Sequence, residues 1–165
     1  MIDIGIIGLY SMVLYLISSF IKLISGNITV VLHPVTGQLI GFFLLTVPVF
    51  FYYYIFERKL NGQSPGKKWN GLRLIYYKKT PPASALKRTI IKILPWEIAH
   101  TGVHWLVFYI REGYNYTPFW VMSLLIISQL MVLINLVFLF HTKGRQTYYD
   151  KLSGTEIVEI KAMQA

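Results

Sequence analysis

Glu97, His100 and His104 are the residues of this chain best suited to chemistry, because they interrupt an otherwise apolar and aromatic stretch from Leu94 to Ile110. At about 100° per residue, offsets of three and seven keep the three side chains within roughly 60° on one helical face. A carboxylate and two imidazoles aligned over about 10 Å of helix suit a proton relay, coordination of a cation, or a metal site. Glu97-His100 and His100-His104 have the i, i+3 and i, i+4 spacings of helical metal ligands. No second Glu-x-x-His helix and no cysteine completes such a site, so a metal would need donors from Asp3, Gln129, Asn135 or His33. A membrane metalloenzyme is therefore the lesser reading, and no cofactor beyond a bound cation is expected. Structural roles compete with all three chemistries. Glu97 could pair with Lys92 or Arg88 at one surface, and His104 beside Trp105 could belong to an aromatic belt at the other.

The elements that must position these residues are membrane spans. Hydrophobic residues make up 55% of the 165, aromatic residues 16% and charged residues only 14%, whereas a soluble domain carries roughly a quarter charged residues. The apolar residues fall in long runs, not in the short amphipathic pieces of a globular core. A helix rising about 1.5 Å per residue needs roughly 20 of them to cross the hydrocarbon. Four spans follow: Ile4 to Ile24, Leu39 to Phe56, about Leu94 to Ile110, and Phe119 to Phe140. A linker containing Gly26 and Pro34, a basic loop over 57–93 and a polar tail over 141–165 separate and follow them. The whole chain, 1–165, reads as one domain. The first run lacks a basic n-region and a cleavage site, so it reads as a retained span. Pro48 predicts a kink in the second span.

Orientation follows from charge. Of the 16 lysines and arginines, fourteen lie in the loop and tail, leaving only Lys22 and Arg111 for the other side. The positive-inside rule then puts the loop, the tail and both termini in the cytoplasm. The net charge of +9 is accounted for by anionic lipid headgroups, which attract juxtamembrane cations. No nucleic-acid motif accompanies it, and nucleic acid is not expected as a partner. Four spans are few for a complete translocation route, so self-association or a partner membrane subunit is expected.

The loop has structure of its own. Leu72 to Tyr77 and Thr155 to Ile160 are short, rich in β-formers and partly alternating, which predicts a two-stranded cytoplasmic pair. After Pro81 and Pro82, Ala83 to Leu94 sets Ala83, Leu86, Ile90 and Ile93 on one stripe with Arg88 and Lys92 displaced from it. That pattern predicts a basic amphipathic helix on the membrane surface, ended by Pro95, or else an ordinary extension of the third span with snorkelling lysines. Gly62 to Lys68 is not a phosphate loop. Only three residues separate its glycines, one of them Pro65, and Lys68 stands where Ser or Thr is needed.

The run GQSPGKKWNGLRLI after a membrane helix, then ALKR, then GRQTYYDKLSGTEIV near the end, resembles the RDD family of small membrane proteins over most of the chain. By position, Asp3 matches the family's first aspartate and Asp150 its second. The motif residues carried over are Gly62, Pro65, Gly66, Lys67, Arg88, Arg145, Asp150, Gly154 and Thr155. The family's arginine at the first helix has no counterpart before Asp3, so no role resting on an Arg-Asp pair is carried over. The resemblance implies a bacterial inner-membrane protein taking part in transport, with sodium/proton antiport among the activities ascribed to members, and it carries no catalytic assignment. Asp3 joins Glu97, His100 and His104 as a relay candidate, its alternative being a helix cap. Asp150 could instead hold Arg145, Lys151 or the Gly154 turn. Together these readings predict a cation or proton-coupled transporter or a subunit of one. The alternative is a non-catalytic membrane scaffold or accessory subunit with a basic docking face.

Overall fold

The computed structural model describes residues 2–25, 33–59, 62–77 and 81–160. The element order is α1 (Ile2–Ile24), α2 (Pro34–Gly41), a π-helical turn (Phe42–Thr46), α3 (Val47–Lys59), α4 (Pro65–Trp69), β1 (Leu72–Tyr76), α5 (Pro81–Arg111), α6 (Phe119–His141), α7 (Tyr148–Ser153) and β2 (Thr155–Glu159). Three helical stretches are long and apolar enough to cross a membrane: Ile2–Ile24, Pro34–Arg58 and Phe119–His141. The first, second and fourth expected spans fall inside them. The Leu94 to Ile110 stretch lies within α5, whose charged and imidazole residues keep it out of that group.

The second span is one continuous helical stretch, and its π turn has a local cause. Pro48 has no N–H to give to the carbonyl of Leu44 four residues back, and its ring crowds that carbonyl. The Leu44 carbonyl instead accepts a hydrogen bond from the Tyr10 hydroxyl of α1 at 2.5 Å. The expected kink is thus a widened turn whose freed acceptor fastens α1 to the second span.

Two expectations about α5 are corrected. Pro95 does not end a helix: it lies buried inside α5, which runs unbroken over 31 residues. The segment before it is an extension of the same helix, the second of the two readings the pattern allowed. The side carrying Arg88, expected at the surface, is the one that packs against protein. Leu86 and Ile90 point outward, while Ser84, Ala85, Arg88 and Thr89 are buried. Where the surroundings are hydrocarbon, apolar side chains lose nothing by facing out and polar ones must face protein.

The two strands pair antiparallel, with Leu74 opposite Ile157 and Tyr76 opposite Thr155, within one residue of the expected pair at each end. Gly62 and Gly154 set the approach to this ladder. Gly154 caps α7 in the left-handed conformation at φ 67°, and its carbonyl accepts from Tyr77 N–H at 3.0 Å. Gly62, at φ 71°, lies so close to Leu74 that a Cβ would collide with it. Glycine alone adopts these angles without strain.

Candidate functional site

Two polar constellations stand out against the apolar fold. The first is a stripe along α5. Its face carrying Glu97, His100 and His104 packs against the second span, where Gly37 and Gly41 leave room for the imidazoles. A Cβ on Gly37 would come within 2.9 Å of His104 Nδ1, and one on Gly41 would overlap the His100 ring. His104 Nε2 and His100 Nε2 are 3.0 Å apart, so one donates and the other accepts. A proton moved along that bond passes from one imidazole to the next across the 3.0 Å between the two nitrogens. His100 Nδ1 is buried without a partner among the described residues, and the Trp96 indole stacks on the same ring at 5.9 Å. Three residues before His100, Glu97 Oε1 accepts from the Thr46 hydroxyl. Thr101, whose hydroxyl donates to the Glu97 carbonyl at 2.9 Å, accepts from Gln38.

The expected partners of this trio are not the ones found. Asp3 lies at the far end of α1, where its carboxylate accepts from Tyr52 at 2.7 Å, Ser64 at 2.5 Å and the Gly66 N–H at 2.8 Å. It is neither a member of the stripe nor merely a helix cap, since it ties α1 to α3 and α4. His33 caps α2 and packs edge-on against Trp105, while His104 turns inward from that aromatic group. Asn135 donates to the Met131 carbonyl within α6. Among the described residues, no group of three or more His, Asp or Glu side chains is placed to hold a metal ion.

The second constellation is a buried ion cluster that sequence reasoning did not assemble. Its centre is Arg88, 1% exposed, between Glu57 and Asp150, both fully buried. The Arg88 Nε donates to Asp150 Oδ1 at 2.5 Å and its Nη1 to Glu57 Oε1, with the Tyr149 ring 5.0 Å from the guanidinium carbon. Lys67 reaches Glu57 Oε1 at 2.6 Å. Asp150 also closes a capping box with Thr147, accepting from its N–H at 3.0 Å and its hydroxyl at 2.6 Å, and accepts from the Thr155 hydroxyl at 3.0 Å. Its partner is therefore Arg88, not Arg145 or Lys151. Arg145 is exposed and contributes its carbonyl, which receives the Ile157 N–H at 2.9 Å. Burial and the neighbouring Arg88 charge hold the Lys67 ammonium below the ordinary lysine range. Burial pushes the Tyr149 phenol up, and burial with Glu57 pushes Tyr76 up to about 12.

Of the motif residues the cluster gathers Lys67, Arg88, Asp150 and Thr155, from four elements. Ser64 caps α4 and Pro65 opens it, which aims the Gly66 N–H at Asp3 and Lys67 at Glu57. Glu57 is the member that sequence reasoning missed. Its one signal was position, as the lone acid closing an aromatic helix beside a basic loop.

A small helical membrane protein whose inner helix ends and β ladder are bound by one buried Arg-carboxylate cluster is the class these features define. The model of the RDD family matches residues 1–154, and the chain belongs to that family. Comparison with curated proteins and with solved structures found no match.

Proposed function

We propose that this RDD-family membrane protein moves a cation or exchanges it for protons, using the stripe of Glu97, His100 and His104 between α5 and the second span. The observation that carries this reading is the inward convergence of all three ionisable groups onto one helix interface. Charged and titratable side chains at membrane depth are costly and mark pathways or relays when they face the interior. Two imidazoles sharing a hydrogen bond can pass a proton, and the carboxylate held by Thr46 can take a proton or a cation.

The reading includes four crossings with both termini in the cytoplasm of a bacterial inner membrane. Chain parity supports this. β1 precedes α5, β2 follows α6, and the strands are paired, so α5 must cross if α6 does. Asp3, in the first turn of α1, is bonded to Ser64 and Gly66, after the second span, which gives the same parity for the first two helices. The basic loop and tail share that end, as the positive-inside rule requires of the cytoplasmic face. Flux of sodium, potassium or protons in proteoliposomes of the purified protein tests the reading, and flux no greater than in empty liposomes would contradict it.

A further inference from the structure

A cavity of about 270 Å³ lies among α1, the second span and α5, walled by Ile7, Leu45, Val49, Ile93 and Trp96 with Lys92 at its inner end. The Lys92 ammonium sits 3.1 Å above the Tyr53 ring. Its nearest carboxylate oxygen, Glu57 Oε1, is 3.9 Å away and already bonded to Arg88 and Lys67. An ammonium has three protons to donate, and among the described residues none of these finds an acceptor within hydrogen-bond reach. Glu57 and Asp150 supply two negative charges to the cluster, whereas Arg88, Lys67 and Lys92 supply three positive ones. The surplus charge is therefore at Lys92, whose one ion pair, to Glu57 at 3.9 Å, is too long for a hydrogen bond, and a largely buried cation so weakly held calls for an anion. The walls beyond it are mostly apolar, and the two hydroxyls among them are already engaged, Ser11 with the Ile7 carbonyl and Thr46 with Glu97. On the α1 side the cavity meets a helix with no buried residue, which leaves a lateral way in from the lipid.

We propose that this cavity binds an acidic membrane amphiphile, its oxyanion headgroup on Lys92 and its acyl chain along Ile7, Val49, Ile93 and Trp96. The shared chemistry is a carboxylate or phosphate oxyanion carried on a hydrocarbon chain. A neutral or zwitterionic lipid lacks the net charge, and a free phosphate ion lacks the apolar part. The proposal goes beyond transport and stands without it, since its readout is binding. If the stripe does carry cations, the headgroup would also cancel the repulsion of Lys92 at its inner end.

Native mass spectrometry of the purified full chain tests the proposal, with phosphatidylglycerol, a long-chain fatty acid, phosphatidylcholine and inorganic phosphate as separate probes. One or both acidic amphiphiles should bind one to one, about tenfold or more tighter than phosphatidylcholine, and phosphate alone should not bind. The acidic probe that binds identifies the source of the headgroup. Lys92→Gln should remove the preference and Lys92→Arg should keep it. Val49→Trp, which fills the cavity and leaves the cation, should block binding in protein that still elutes as a folded species. Lys87→Gln, an exposed lysine on the same helix, should change nothing. Equal affinity for phosphatidylglycerol, fatty acid and phosphatidylcholine would overturn the proposal. So would equal losses in Lys87→Gln and Lys92→Gln, or binding of inorganic phosphate as tight as that of the amphiphiles.

Discussion

Replacing Arg88 by methionine keeps a long unbranched side chain in place and removes the one charge that bridges two fully buried carboxylates. Breaking a buried ion pair from one side costs about 3–5 kcal/mol, because the remaining charge is left uncompensated. Here both carboxylates retain partners. Asp150 keeps the Thr147 N–H, the Thr147 hydroxyl and the Thr155 hydroxyl, and Glu57 keeps Lys67 at 2.6 Å. The loss should therefore fall at the low end, about 3 kcal/mol. That is a large share of a total of about 5–15 kcal/mol. Arg88→Lys should lose about 1–2 kcal/mol, since a single ammonium lacks the fork that reaches both acids. Adding Glu57→Gln and Asp150→Asn to Arg88→Met removes the stranded charges and should recover at least half of the loss. Unfolding by SDS titration in micelles, followed by circular dichroism, measures each value. An Arg88→Met protein within about 0.5 kcal/mol of the parent would refute the reasoning, as would a triple variant less stable than the single one.

Further outcomes follow from the same geometry. Lys67 binds its proton less tightly folded than unfolded, so its contribution to stability rises with pH from its lowered folded value toward 10.5. As pH rises toward 10.5, stability should climb more steeply in the parent than in Lys67→Met; parallel SDS-titration profiles would contradict this. A methyl group on Gly41 would displace the His100 ring, so Gly41→Ala should impair flux in proteoliposomes about as much as His100→Ala while leaving membrane insertion intact. Reporter fusions after Lys79 and after Ala165 should both read cytoplasm, and a periplasmic signal at either would end the four-crossing reading.

Much of this arrangement is legible in the sequence, and its omissions share a physical origin. Hydrophobic runs mark α1, the second span and α6 because the length needed to cross hydrocarbon is long and unmistakable. Alternation marks β1 and β2, and 3.6-residue spacing puts Glu97, His100 and His104 on one face. Arg88 and Lys92 lie on a polar side that an amphipathic pattern would give to water. Next to lipid the polar side is the inside, and Arg88 becomes the best-buried large residue of α5. Pro95 does not stop α5, because packing around a buried proline outweighs the local cost of one lost hydrogen bond. Glu57 escapes notice because the partners that bury it come from α4 and α5, up to 31 residues away. No local pattern encodes that meeting. The bond of Tyr10 to the Leu44 carbonyl is hidden in the same way, although Pro48 announces that a carbonyl there must look elsewhere.

The most direct measurement of the central claim is ion flux as a function of external pH in proteoliposomes containing the parent protein, Glu97→Gln or His100→Ala, each incorporated to the same level. The parent should show cation or proton flux that changes between about pH 5 and pH 8, where imidazoles titrate, and both variants should lose that dependence while inserting normally. Flux that is unchanged in both variants, with the same pH profile as the parent, would contradict a relay through this stripe and favour the membrane-scaffold reading.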